Sequence, residues 1–230
     1  MNSVQPRAHS SSSGRPVALP LFPLSTVLTP GARLPLRVFE PRYVALLRAV
    51  LDPHTGSREF GVIGIKLGHE VGSGAARALF DVGCTASVDH LVASGESQFA
   101  VLSTGRRRFE LVCVDESAGT PYLTGLVRFL DEPAGDAGLA AVQLERVRGE
   151  LARYLSALGE EPAEVPADPL AASYRVPDLA RLGLADRARL LAAPSAEARL
   201  ALAARILRRE STLVSRLGAV PWTGPFGTPG

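Results

Sequence analysis

The residues most able to do chemistry in this 230-residue chain are few: four histidines, two cysteines and a single lysine. His9, His54, His69 and His90 are scattered, with none at HExxH spacing or beside a CxxC pair. Metal sites show their ligand spacing, so neither a metal nor another cofactor is expected. Cys84 and His90 would suit a nucleophile and its base. On a strand, however, six residues place them on one face roughly 20 Å apart, far beyond hydrogen-bond reach. A Ser–Lys dyad needs a serine against a lysine of depressed pKa. Lys66 lies in "GIKLG", and no serine stands within several residues of it. There is no GxxxxGK[ST] loop, GxGxxG turn or GxSxG elbow, and the glycines of "LGHEVGSG" (67–74) read as a mobile hairpin loop. No catalytic, cofactor-binding or metal residue is expected, and the chain does not read as an enzyme.

Composition narrows the remaining classes. The chain is 46% hydrophobic and 21% charged, ordinary for a globular protein large enough to bury a core. The 25 basic and 23 acidic residues leave a net charge of +2, without the basic excess of a nucleic-acid binder. The one basic cluster, Arg106 to Arg108 in "GRRRFEL", sends successive side chains to alternating sides of a strand. Pairing with acids such as Glu40 or Glu110 is expected ahead of phosphate contact. Two cysteines cannot make a disulfide framework; both lie in β-prone runs and read as buried free thiols of a reducing compartment. With neither a signal peptide nor a membrane-spanning run, the expectation is a cytoplasmic protein.

The elements change character near residue 132. Before it, short β-like runs occur at 17–24, 33–39, 59–67, 80–93, 97–104, 107–114 and 122–130, punctuated by Gly and Pro. Such spacing predicts a sandwich or a barrel. In "RRFELVCV", alternation puts Arg107, Phe109, Leu111 and Cys113 on one face. Pro20, Pro23 and Pro35 confine the first two runs to edges, bulges or irregular extended chain. One helix, "EPRYVALLRAVLD" (40–52), interrupts this region. From residue 138 the apolar spacing is helical, with Ser195 as an N-cap. The division is a serine-rich disordered lead-in (1–15), a β domain (16–131), a helical domain (132–217) and a flexible Pro/Gly-rich tail (218–230) carrying Trp222 and Phe226.

Several ordered motifs carry a resemblance. "LPLFPL" (19–24), Pro30-Gly31, "LPLRVFEPRY" (34–43), "FGV" (60–62), Gly83 with Thr85-Ala86, and Gly105 with Arg108-Phe109 follow one family pattern in order. The chain resembles the Lon protease N-terminal domain, also called the Lon substrate-binding domain, over residues 19 to about 217. The resemblance implies an α+β fold: an N-terminal PUA-like β-barrel with one inserted helix, then a C-terminal α-helical bundle. It implies a free-standing, non-catalytic polypeptide-recognition module, without the ATPase and peptidase domains, of a kind suited to an adaptor in protein quality control or ATP-dependent proteolysis. The alternative is an RNA-binding PUA-like protein, from Arg106 to Arg108. The expected partner is a polypeptide or protein, with no membrane. Against the family's more continuous helix, "DPLAASYRVPDLARLGL" is irregular.

Within "LPLRVFEPRY" the residues read as a strand-to-helix joint. Pro41 suits the first helical position, and Glu40 is extended because it precedes proline. Phe39 is placed to staple onto Val44. The motif residues Phe39, Glu40, Arg42, Tyr43, Gly105, Arg108 and Phe109 are assigned this structural role, with Arg42 or Arg108 contacting Glu40. No binding surface is legible in the sequence.

Overall fold

A computed structural model of the chain describes residues 14–54, 56–68, 76–95 and 98–217. His9, His69, the glycines of 69–74 and the tail from Gly218, with Trp222 and Phe226, lie outside the described residues, as does the lead-in before residue 14. Among the described residues the elements run β1 (Val17–Leu24), β2 (Arg33–Val38), α1 (Pro41–Val50), β3 (Glu59–Gly68), β4 (Ala76–Leu79), β5 (Val82–Ala93), β6 (Phe99–Val114) and β7 (Leu123–Phe129). They continue with α2 (Ala137–Leu158), α3 (Pro169–Leu179), α4 (Leu184–Leu191) and α5 (Ala196–Leu217). The short strand β4 has no counterpart among the expected runs.

The strands pair in the order β1-β7-β6-β5-β3-β4, with β2 on β6 and a further parallel pairing of β3 with β1. The prolines explain how β1 is used. Its first half, with Pro20, pairs with β7; its second half, with Pro23, pairs with β3; the two stretches overlap only at Leu21. Each proline therefore stands where the strand has a neighbour on one side, so its missing N–H costs no ladder bond. β1 is internal to the sheet and still an edge at each proline. Pro35 lies on β2, which pairs with β6 alone.

The runs 97–104 and 107–114 are one long strand, β6, passing straight through Gly105. That glycine is there for space. The turn at Thr29–Ala32 lies against it, with Gly31 N–H donating to Gly105 O at 2.9 Å and Gly105 N–H donating to Ala32 O at 2.9 Å. A Cβ at Gly105 would stand 2.1 Å from Thr29 O. Gly31, at φ +83°, supplies the left-handed residue of that turn. The Pro-Gly and Gly-x-x-Arg-Phe motifs are thus two sides of one contact.

Chain contacts divide the molecule into two units. One runs to Glu132 and includes Gly183–Pro194; the other comprises Pro133–Leu182 and the chain from Ser195. The segment containing α4 thus belongs to the strand-rich unit and packs on β3 and β5, whereas the change of character near residue 132 suggests a single helical domain over 132–217. In the second unit α2 and α5 lie side by side and parallel. At their shared N-terminal end, Asp136 N–H donates to Glu197 Oε2 at 3.1 Å and Ala196 N–H to Pro133 O at 3.0 Å. Asp136, Asp168 and Ser195 cap α2, α3 and α5 by accepting from Leu139, Ala171 and Ala198 N–H.

The strand-rich unit's core is built around Phe22, Tyr43 and Phe60, with Leu46 and Leu47 of α1 fully buried. Cys84 is buried there, but Cys113 is exposed, correcting the expectation of two buried thiols. The pairing of β6 with β5 ends at Glu110, and a register shift against β7 falls between Leu111 and Cys113. Past that bulge, strand alternation no longer points Cys113 inward. Burial pushes the Cys84 thiol up to about 12 from its ordinary 9.0. The folded thiol keeps its proton where the unfolded one loses it. Stability is therefore expected to fall as pH rises from about 9 toward 12, by about 1.4 kcal/mol per pH unit for this proton. A thiol-reactive dye should label Cys113 at once and Cys84 only on unfolding. Absorbance counts of modified thiols with and without denaturant check this.

Candidate functional site

The expected motif residues form two buried assemblies. In the first, Glu40 precedes α1 in extended conformation, at φ −72° and ψ 133°, with Pro41 opening the helix. Glu40 makes no side-chain cap and instead pairs with Arg42 at 2.9 Å. The Arg42 guanidinium lies 4.6 Å from the Tyr43 ring centroid, and Tyr43 stacks on Phe22 at 3.9 Å with 12° between planes. The "LPLFPL" and "FEPRY" motifs therefore meet as a guanidinium–ring–ring pile. Phe39 is not part of it: its ring is 56% exposed.

In the second assembly Arg108, 1% exposed, is used neither by Glu40 nor by Glu110. Its Nε donates to Glu132 Oε1 at 2.7 Å and its terminal nitrogens to the carbonyls of Asp131, Leu191 and Ala193 at 2.8–3.0 Å. One of those carbonyls, that of Leu191, ends α4, where orphaned acceptors and the helix dipole favour a cation; Ala193 lies two residues beyond it. Arg107 lies over the Phe129 ring, 3.9 Å from its centroid. Of the basic cluster, then, Arg108 is committed to the interior and Arg107 to an aromatic. Phe109 pairs with Gly83, and Cβ atoms at Gly83 and Gly61 would stand 2.4 Å and 3.0 Å from its Cζ. The glycines of "VGCTA" and "FGV" make room for this ring.

Cys84 is buried, with its thiol pKa raised by burial, and His90 is exposed. Lys66 pairs with Asp81 at 3.1 Å. Among the described residues no three His, Cys, Asp or Glu side chains cluster as metal ligands, and no helix is long and apolar enough to cross a membrane.

The surface offers more. β5 and β6 pair well beyond β3, whose register with β5 covers only Glu59–Val62 against Ser87–Cys84. The outer stretches of β5 and β6, joined by β2, form a three-stranded sheet in which β2 and β6 bury one face, while β5 beyond Val88 is exposed at every position. Alternation sends Leu34, Val38 and Val101 inward. The outward positions are Pro35 and Arg37 on β2, Ala100 and Leu102 on β6, and His90 and Val92 on β5; they line an open groove of about 430 Å³. Val92 is 63% exposed. Phe39 follows the last residue of β2 and is 56% exposed. Sequence reasoning missed this surface. Its only sequence signal is that "LVA" (91–93) stays apolar where a half-buried strand ought to alternate.

The comparisons with known proteins agree on one family. The chain is 26% identical over 214 residues to a Lon protease of Anaeromyxobacter dehalogenans, covering 86% of this chain and 24% of that protein. It is 28% identical over 153 residues to Lon protease 2 of Myxococcus xanthus, covering 66% of this chain and 17% of that protein. The chain thus spans a quarter or less of these curated relatives. The crystal structure of a Lon N-terminal domain protein from Xanthomonas campestris superposes with a TM-score of 0.52 at 25% identity, over 80% of this chain and 95% of that one. The N-terminal domain of a Mycobacterium avium complex Lon protease gives 0.57 at 16% identity, over 85% and 98%, a likeness of fold. The family model of the ATP-dependent protease La (LON) substrate-binding domain matches residues 18–209, and the chain belongs to that family.

Proposed function

We propose that the chain is a non-catalytic polypeptide-recognition module that holds its targets on the outer face of β2, β5 and β6. The observation carrying this reading is the groove, where aliphatic side chains stand exposed on a sheet whose β2 and β6 strands rest on the core. Exposed contiguous apolar surface marks an interaction site, and a rigid sheet presents it without an ordering cost. Family membership in a substrate-binding domain supports the polypeptide as partner. An adaptor role beside an ATP-dependent protease follows from the Lon proteases it resembles. In the same reading, β1, β7, β6, β5 and β3 make a PUA-like barrel, supported by the pairing of β3 back to β1, and the second unit is a helical bundle. Glu40, Arg42, Tyr43, Gly105, Arg108 and Phe109 serve as structural joints, whereas the exposure of Phe39 suits the binding surface. For the alternative, RNA binding, the basic cluster offers little once Arg107 and Arg108 are engaged.

The test uses reduced, carboxymethylated α-lactalbumin as an unfolded probe. Binding by anisotropy is expected to weaken at least tenfold in Val92→Asp and to be unchanged in Val142→Asp, an equally exposed valine on α2. Equal loss in both variants, or none in either, rejects the surface assignment.

A further inference from the structure

The groove is not uniformly apolar, and its charge has one sign on its lining. The ionisable side chains of its three strand segments are Arg33 and Arg37 on β2 and Asp89 and His90 on β5; the β6 stretch 99–104 has none. Asp89, the only carboxylate, accepts from Thr104 Oγ1 at 2.5 Å and is not a lining residue. Arg37 and His90 are. Arg37 is exposed and has no carboxylate partner among the described residues, unlike Arg42, Arg108 and Arg148. Arg37 and Val92 stand in one row across the sheet, each opposite Ala100. Two strand spacings separate them, roughly 10 Å.

We propose that the groove selects an extended segment of another protein in which an apolar side chain sits two residues from an aspartate or glutamate. The apolar group covers Val92 and Leu102, and the carboxylate reaches Arg37. An extended chain advances roughly 3.3 Å per residue and returns to the same face every second residue, so that spacing sets both groups toward the row and the long arginine side chain spans the remainder. A planar guanidinium on an otherwise apolar floor suits a carboxylate, which it can engage through two parallel N–H donors. Basic segments are turned away by the same charge, a repulsive component of selectivity that apolar contact alone does not supply. This inference rests on the recognition surface proposed above and adds its substrate class.

Three fluorescein-labelled peptides, acetylated and amidated so that only side-chain carboxylates are present, separate the two claims. Each carries two phenylalanines in a Ser/Gly background; two residues after each comes aspartate, asparagine or lysine. The aspartate peptide is expected to bind about fivefold more tightly than the asparagine peptide, a difference that shrinks as salt rises from 50 to 500 mM, with the lysine peptide weakest. Arg37→Glu should invert the order of the aspartate and lysine peptides, while Arg48→Glu, the same charge change at an exposed position of α1, should leave it. Both arginines are exposed, and a thermal melt confirms that each variant is folded. If all three peptides bind equally and Val92→Asp abolishes binding, the charge selection is overturned and the apolar surface stands. If none binds while the unfolded probe does, this substrate class is wrong. If neither peptides nor probe bind, the surface itself is wrong.

Discussion

Arg108→Ala is expected to destabilise the strand-rich unit by about 3–5 kcal/mol, from the cavity it leaves and the three carbonyls that lose a charged donor. Four donor contacts disappear together. Glu132 is partly exposed and can turn to water. The carbonyls of Asp131, Leu191 and Ala193 lose a charged donor, and that of Leu191 is the last acceptor of α4. Arg108→Met retains much of the volume and separates packing from hydrogen bonding; it should recover only the cavity component. Arg108→Lys keeps the charge but presents its donors from one point, so it cannot span Glu132 and three carbonyls and should still lose about 2 kcal/mol. Amide hydrogen exchange reads the effect locally. Residues 183–194 should lose protection first, although they lie more than seventy positions from the substitution. Unchanged protection there in Arg108→Ala would show that α4 is held by its apolar contacts alone.

Gly105→Ala should cost about 3 kcal/mol, at the upper end of ordinary overpacking. The methyl group would enter space held by Thr29 O at 2.1 Å. That oxygen cannot withdraw freely, because the turn is bonded to Gly105 through both its N–H and its C=O. Either those bonds break or β6 bends away from its neighbours. A matched substitution shows that the effect is positional. Gly149, an exposed glycine within α2, has nothing within 4 Å of the place a methyl group would take. Gly149→Ala should therefore stabilise by about 0.5–1 kcal/mol, the helix preference of alanine over glycine. Urea midpoints for the two alanine variants should move in opposite directions.

Much of the architecture is legible in the sequence because its signals are local. Gly/Pro punctuation and alternation locate six of the strands, and apolar spacing with Ser195 locates the helices, since burial on one face imposes its own period on a sequence. β4 escapes because four residues give too little pattern. Gly105 reads as a boundary because the sequence shows that a side chain is missing but not what occupies the place. Bulges defeat the facing of Cys113, for one extra residue in a pairing shifts every position after it.

Motifs at fixed order were enough to reveal the family, and the spacing of histidines, cysteines and lysine was enough to show no recognisable catalytic pattern. The Glu40–Pro41 joint was equally open to sequence reading, because proline restricts its predecessor whatever surrounds it. Folding in three dimensions was needed to settle which acid each arginine meets, that α4 belongs with the strands, and that Val92 and Arg37 stand outward around an open groove. Those outcomes depend on strand register and on contacts between residues distant in the chain. A change of one position in register exchanges the buried and exposed faces of a strand without altering a residue.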